Sequence, residues 1–264
     1  MRTGIVFITF VSLLLAMCVQ SEEWSLGEGR WVDLTHEFSE ETLYWPTSDT
    51  FQKDTVFVGH TDEGFYYEAY QICTAEHGGT HLDAPIHFAE DRKRVHELEL
   101  DQLIGHAIVV DVTGQAAENR EYQLSVDDLT DWEQEHGRMP DDSILLVRTG
   151  FHQYWPDAEQ YLGTAMRGEE ALKELSFPGI HPDAARWIVE NRNIKAVGID
   201  TASLDYGPST LFETHQILFE ENIPGFENVA NLDELPPTGS FVVALPMKIR
   251  GGSGAPLRIV AQIP

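Results

Sequence analysis

The chain has 264 residues, 17 Lys+Arg against 44 Asp+Glu for a formal net charge of −27, and 42% hydrophobic with 10% aromatic content. That apolar fraction is enough for a core and argues against a disordered or collagen-like chain, while the length fits one large domain that needs no disulfide merely to fold. The acidity repels phosphate backbones and anionic lipid, which argues against nucleic acid or a membrane surface as partner.

In chain order, Arg2 precedes an apolar run over 5–19 that turns polar at Gln20, Ser21, Glu22 and Glu23. This is the layout of a secretory signal peptide, shorter than the roughly 20 residues of a membrane span, with an uncleaved anchor as the alternative. Cleavage after Ser21 predicts a signal over 1–21, one domain over 22–264 and a secreted protein free of the membrane. β-rich runs follow at 31–34, 65–73, 107–112, 144–148, 196–200 and 241–245, several of them continuously apolar as in strands covered on both faces. Ser125-Val126-Asp127-Asp128 reads as a capping-box start for a helix through Glu135, and His181-Pro182-Asp183 opens an amphipathic helix over 184–191. A glycine-rich turn at 251–254 joins 241–249 to 257–263 as an antiparallel hairpin. The expected class is α/β, a single domain with a mixed sheet and flanking helices. Cys18 falls in the predicted signal, so Cys73 stands alone in the mature chain; its place in a β-rich run predicts a buried packing role.

The densest chemical signal is Glu76-His77-Gly78-Gly79-Thr80-His81-Leu82-Asp83-Ala84-Pro85-Ile86-His87. An extended chain from 77 to 87 would span roughly 33 Å, far more than the ligands of one ion allow, so the segment must curl, at Gly78-Gly79 and Pro85. Imidazoles plus a carboxylate suit Zn²⁺, Mn²⁺ or Fe²⁺ better than Ca²⁺ or Mg²⁺, and three protein ligands leave room for a water. His77, His81 and Asp83 are therefore the first candidates. A second cluster comprises Asp200 to Asp205, His215 and Glu227. Asp200 ends an apolar strand, where α/β proteins often place functional groups. Read alone, His215 fits a surface or helix-capping residue and Glu227 a solvated loop carboxylate. No GxSxG nucleophile elbow is present.

The string from His77 to His87 resembles the signature of the cyclase family, which includes bacterial metal-dependent kynurenine formamidases and isatin hydrolases. Supporting stretches are Asp33-Leu34-Thr35-His36, Tyr44-Trp45-Pro46, Asp200 to Asp205, and Pro246 to Arg258. The resemblance implies a swivelling β/β/α fold and a homodimer with its sites near the subunit contact. It makes His77, His81 and Asp83 metal ligands, with Asp83 able to bridge two ions, and gives His87 acid–base work. It adds His215 and Glu227 as a second metal position, a two-ion formamidase-like arrangement, since isatin hydrolases resemble this layout with an amide in place of the glutamate. The loop Trp45-Pro46-Thr47-Ser48-Asp49 departs from the Pro-Gly-Asp often found there. The implied activity is hydrolysis of a small aromatic amide through a Zn- or Mn-activated water: N-formylkynurenine to kynurenine and formate, or opening of a cyclic amide such as isatin. Tyr44 and Trp45, with Phe65 or Tyr66, are candidates for stacking on the substrate. A secreted, non-catalytic metal- or ligand-binding protein is the competing class, opposed by the retention of His87, His215 and Glu227.

Overall fold

The computed structural model describes residues 29–264, so the expectations for the apolar run, Cys18 and cleavage at Ser21 lie outside the described residues. Strands β1 (Arg30–Asp33), β2 (Gln52–His60), β3 (Tyr66–Cys73) and β4 (His81–Asp83) come first. A mixed stretch follows: α1 (Leu100–Leu103), β5 (Ile104–Asp111), α2 (Thr113–Glu118), β6 (Gln123–Leu124), α3 (Val126–His136) and β7 (Ser143–Arg148). Next are α4 (Ala158–Leu162), β8 (Gly179–Ile180), α5 (Pro182–Asn191), β9 (Ile194–Ile199), α6 (Glu213–Glu220) and β10 (Gly225–Glu227). The C-terminal hairpin is β11 (Ser240–Pro246) and β12 (Gly254–Ile263).

The main sheet runs β1-β12-β11-β5-β7-β9-β10-β4, and a further β12–β4 pairing closes it into a barrel with β1 on its outer edge. Strands β5, β7, β9 and β10 are parallel, which requires crossovers and places helices on the outer face. Strand β7 explains its own sequence: Ile144 and Leu146 point into the barrel, Leu145 and Val147 point out to the helices, and all four are fully buried. Leu129 and Trp132 of α3, Ala184 and Ile188 of α5, and Leu218 and Phe219 of α6 cover that outer face.

The expected helices form for the reasons their sequences give. Ser125 Oγ accepts from Asp128 N (3.3 Å) while the Asp128 carboxylate accepts from Ser125 N (2.7 Å), a reciprocal cap at the start of α3. His181 caps α5, with Pro182 at its first position where a missing N–H costs nothing.

One strand overturns its reading. The run ending at Cys73 belongs to a separate two-stranded sheet of β2 and β3, and Cys73 is exposed rather than packed in the core. Its apolar residues resemble those of a buried strand in composition, but the only sheet partner of β3 among the described residues is β2.

Candidate active site

The curl demanded of the histidine string occurs at the two glycines. Gly78 packs so closely on Tyr44 that a Cβ would lie 2.0 Å from the ring, and Gly79 adopts φ +58°, a left-handed conformation suited to glycine. Strand β4 then applies its period of two: His81 and Asp83 share one face while Leu82 enters the barrel core. Antiparallel register sets Glu227 of β10 directly opposite His81. After Ala84, a single helical turn over Pro85–His87 returns the chain, so the His87 ring stacks on His77 with centroids 3.8 Å apart. His215 enters from the first turn of α6. The two sequence clusters, 128 positions apart between His87 and His215, thus meet.

Each imidazole is oriented by a partner behind it. His81 donates Nδ1–H to the Gly79 carbonyl (3.0 Å), leaving Nε2 at 3.1 Å from Asp83 Oδ1 and 3.4 Å from Glu227 Oε2. His215 donates Nδ1–H to Asp205 (2.6 Å) and turns Nε2 to Glu227 Oε1 (3.0 Å) and Asp83 Oδ2 (3.4 Å). Ser253 Oγ donates to Glu76 and so accepts from His77 Nε2, leaving His77 Nδ1 at 2.6 Å from Asp83 Oδ1. Three imidazole lone pairs therefore face carboxylate oxygens, an arrangement that is repulsive unless a proton or a metal ion stands between.

Burial sharpens the requirement. His81, Asp83, His215 and Glu227 are all at most 4% exposed, and among the described residues no Lys or Arg lines the cavity. In the metal-free chain protons supply the positive charge. Burial opposes protonation of His81, yet the Asp83 carboxylate outweighs it and raises the pKa to about 9. His215 is raised well above its ordinary value against the same burial, by Asp205, Asp83 and Glu227. Asp83 is held well below the carboxylate range despite burial, by His77 and His81. Donor type and charge both fit a divalent cation of the Zn or Mn kind. The ligand atoms of His81, Asp83 and Glu227 lie within 4.8 Å of one another, as do those of His77, Asp83 and His87, with Asp83 common to both groups. His87 differs from the others: burial lowers its pKa to about 4, so it is neutral at pH 7.

The site opens on a cavity of about 270 Å³ with aromatic walls. Tyr44 and Trp45 line it as expected, and the Tyr44 hydroxyl is tied to Thr74 Oγ1 (2.6 Å). Phe65 and Tyr66 do not: they are 58% and 56% exposed on the β2–β3 hairpin. Their places are taken by Phe88 and Phe212, with ring centroids 5.2 Å apart. Phe212 holds φ +51° at the start of α6, an uncommon conformation for a bulky side chain. Neither phenylalanine has a spacing that marks it. His215 and Glu227, which read alone as surface and loop residues, are buried instead, because α6 and β10 pack them against β4. Asp205 stood in a noted cluster, but its role as the partner of His215 needed the helix to be placed. Asp200 is structural: its carboxylate accepts from Thr149 N (2.7 Å) and Gly150 N (2.8 Å) and fixes the turn after β7.

The chain is thus a closed mixed barrel whose buried His/Asp/Glu cluster could hold a metal ion. The Cyclase family model matches residues 32–206, and the chain belongs to this family. Isatin hydrolase of Roseibium aggregatum is 27% identical over 252 residues, covering 90% of this chain and 93% of its own. Kynurenine formamidase of Bacillus cereus is 24% identical over 235 residues, covering 88% and 97%. The structure of isatin hydrolase A from Ralstonia solanacearum superposes with a TM-score of 0.80 at 32% identity, covering 89% of this chain and 92% of that one.

Proposed function

We propose that this protein is a metal-dependent hydrolase that cleaves the C–N bond of a small aromatic amide in the cavity bounded by Tyr44, Trp45, Phe88 and Phe212. The convergence of three imidazole lone pairs on two buried carboxylates carries this reading. His77, His81, Asp83, His215 and Glu227 would hold the cation, with Asp83 shared where two ions bind. When bound, a divalent cation supplies Lewis acidity and lowers the pKa of water from 15.7 towards roughly 7. Asp205, Gly79 and Ser253 keep the ligand imidazoles in the right tautomer. His87, neutral and stacked on His77, accepts a proton at the reacting centre and returns it to the leaving nitrogen. The aromatic walls orient an aryl ring and exclude water.

Two substrates fit this chemistry. Glu227 supports a formamidase-like reaction on N-formylkynurenine, whereas likeness over the whole chain supports opening of a cyclic amide such as isatin. The purified domain, assayed on both with Zn²⁺ or Mn²⁺ and again after chelation, should turn over at least one and lose that activity without metal. Stoichiometric metal without turnover of either would favour a binding protein instead. The same reading includes a homodimer and a secreted mature chain beginning after residue 21, checked by sedimentation and by N-terminal sequencing of exported protein.

A further inference from the structure

The aromatic wall that carries Trp45 is a loop rather than a strand. Its residues form a tight turn in which Ser48 N donates to the Trp45 carbonyl (2.9 Å). The half-buried Trp45 indole meets Phe177 and Phe212 edge-on, with ring centroids 6.5 and 6.1 Å away. At its start the loop is tied to the histidine string, since Gly79 N donates to the Leu43 carbonyl (3.0 Å) and Tyr44 bridges to Gly78. Beyond Tyr44 it is held from the opposite side.

That side is the segment after α4. Tyr161 of α4 is buried and donates its hydroxyl to the Asp200 carbonyl (3.1 Å) and to Asn228 Oδ1 (2.9 Å), which fixes the helix to the barrel. From the chain leaving it, Arg167 donates through Nη1 to the Tyr44 carbonyl (3.3 Å) and through Nη2 to the Ser48 carbonyl, and Gly168 N donates to the Pro46 carbonyl between them (2.9 Å). Two consecutive residues thus take every second carbonyl of the loop. The planar fork of a guanidinium suits this task, and a hydrogen bond from a charged donor is stronger than one between neutral groups. Arg167 forms no ion pair among the described residues, although Glu40 and Glu41 line the same groove of about 170 Å³ and the chain has 44 acidic residues. Its charge is directed at backbone, and the cavity wall is what that backbone carries.

We infer that Arg167 is a positioning residue for the substrate: by clamping the Tyr44 and Ser48 carbonyls it holds the Trp45 indole at the cavity before an aryl ring arrives. The inference rests on the hydrolase reading and deepens it, because it names the group that prepares the aromatic wall. A loop that must be ordered on binding costs affinity, and one already ordered does not. His81, Asp83, His215 and Glu227 are carried by β4, α6 and β10 rather than by this loop, so the clamp acts on substrate binding and leaves the reacting centre in place. Its loss therefore falls on KM rather than on kcat.

Hydrogen–deuterium exchange and steady-state kinetics on the purified, metal-loaded protein test it, with Arg167→Ala, Arg167→Lys, Trp45→Ala and the Trp45→Ala/Arg167→Ala double variant. In Arg167→Ala, peptides covering 44–48 and Gly168 should exchange about tenfold faster, as loss of charged hydrogen bonds implies, while those covering β4 keep their protection. KM for whichever of N-formylkynurenine and isatin is turned over should rise by about tenfold, with kcat within about threefold and bound metal unchanged. Arg167→Lys, which offers one point of charge in place of a fork, should fall between Arg167→Ala and wild type. In the Trp45→Ala background Arg167→Ala should raise KM by less than about twofold, because the two act through one wall. Unaltered exchange in Arg167→Ala would overturn the clamp. So would an additive double variant or a loss of bound metal, either of which assigns Arg167 a general role in the fold. If wild type turns over neither substrate the hydrolase reading fails, and the exchange comparison still decides whether Arg167 orders the loop.

Discussion

At the scale of residues, the centre depends on a balance between buried carboxylates and whatever cation neutralises them. His81→Ala removes an imidazole whose Nε2 faces both Asp83 and Glu227, and it should abolish metal binding and turnover together. Bound metal measured by elemental analysis checks this, and undiminished activity would sink the assignment. Asp205→Asn leaves the proposed metal ligands in place but weakens the partner of His215 Nδ1; metal affinity should fall by about 10–100-fold, read by competition with a chromophoric chelator. The metal-free protein should show a distinct pH response. His81 has its pKa raised from 6.5 to about 9, so its contribution to stability is complete below about pH 6.5 and is lost as pH rises through about 9. Thermal unfolding with chelator should therefore show a falling midpoint between pH 6.5 and 9. With Zn²⁺ or Mn²⁺ bound the cation replaces the proton, and the fall should be absent.

At the scale of elements, strand β4 is three residues long, yet it both closes the barrel and presents His81 and Asp83 to the centre. Its approach is set by Gly78, where even a methyl group would strike the Tyr44 ring. Gly78→Ala should displace His77 and Tyr44 together, lowering metal affinity and raising KM, as isothermal titration and steady-state kinetics would show. The barrel strands behave conventionally: Leu146→Ala leaves a cavity among fully buried neighbours and should cost about 2–5 kcal/mol in denaturant unfolding. Periodicity was a good guide to such elements. The apolar run of β7 and the capping box of α3 are local signals, and each is found where its sequence puts it. The β2–β3 hairpin shows where that guide fails, since a β-rich run specifies extended backbone but not which sheet accepts it. Cys73, whose β-rich run predicts burial, thus lies exposed at the end of β3.

For the whole molecule, a net charge of −27 sits on a surface from which the chemically important carboxylates have been withdrawn. Asp83 and Glu227 are buried at the centre, and Asp200 and Asp205 serve as internal hydrogen-bond acceptors. The remaining surplus repels itself, so moderate salt should raise the unfolding midpoint by screening, measurable between about 10 and 150 mM where the Debye length shrinks from about 30 to 8 Å. Sequence by itself located six of the eight barrel strands, missing only β4 and β10, and marked the turn at the double glycine and the histidine-rich string from His77 to His87, because helical and strand periods, caps and side-chain types are encoded within short stretches. Only the tertiary structure decided that His215 and Glu227, read alone as surface and loop residues, are buried against β4, that Phe88 and Phe212 wall the cavity, and that the β2–β3 run forms a sheet of its own. These facts rest on barrel closure, on strand register and on α6 packing over β9 and β10, which join residues more than a hundred positions apart through contacts that no local pattern records.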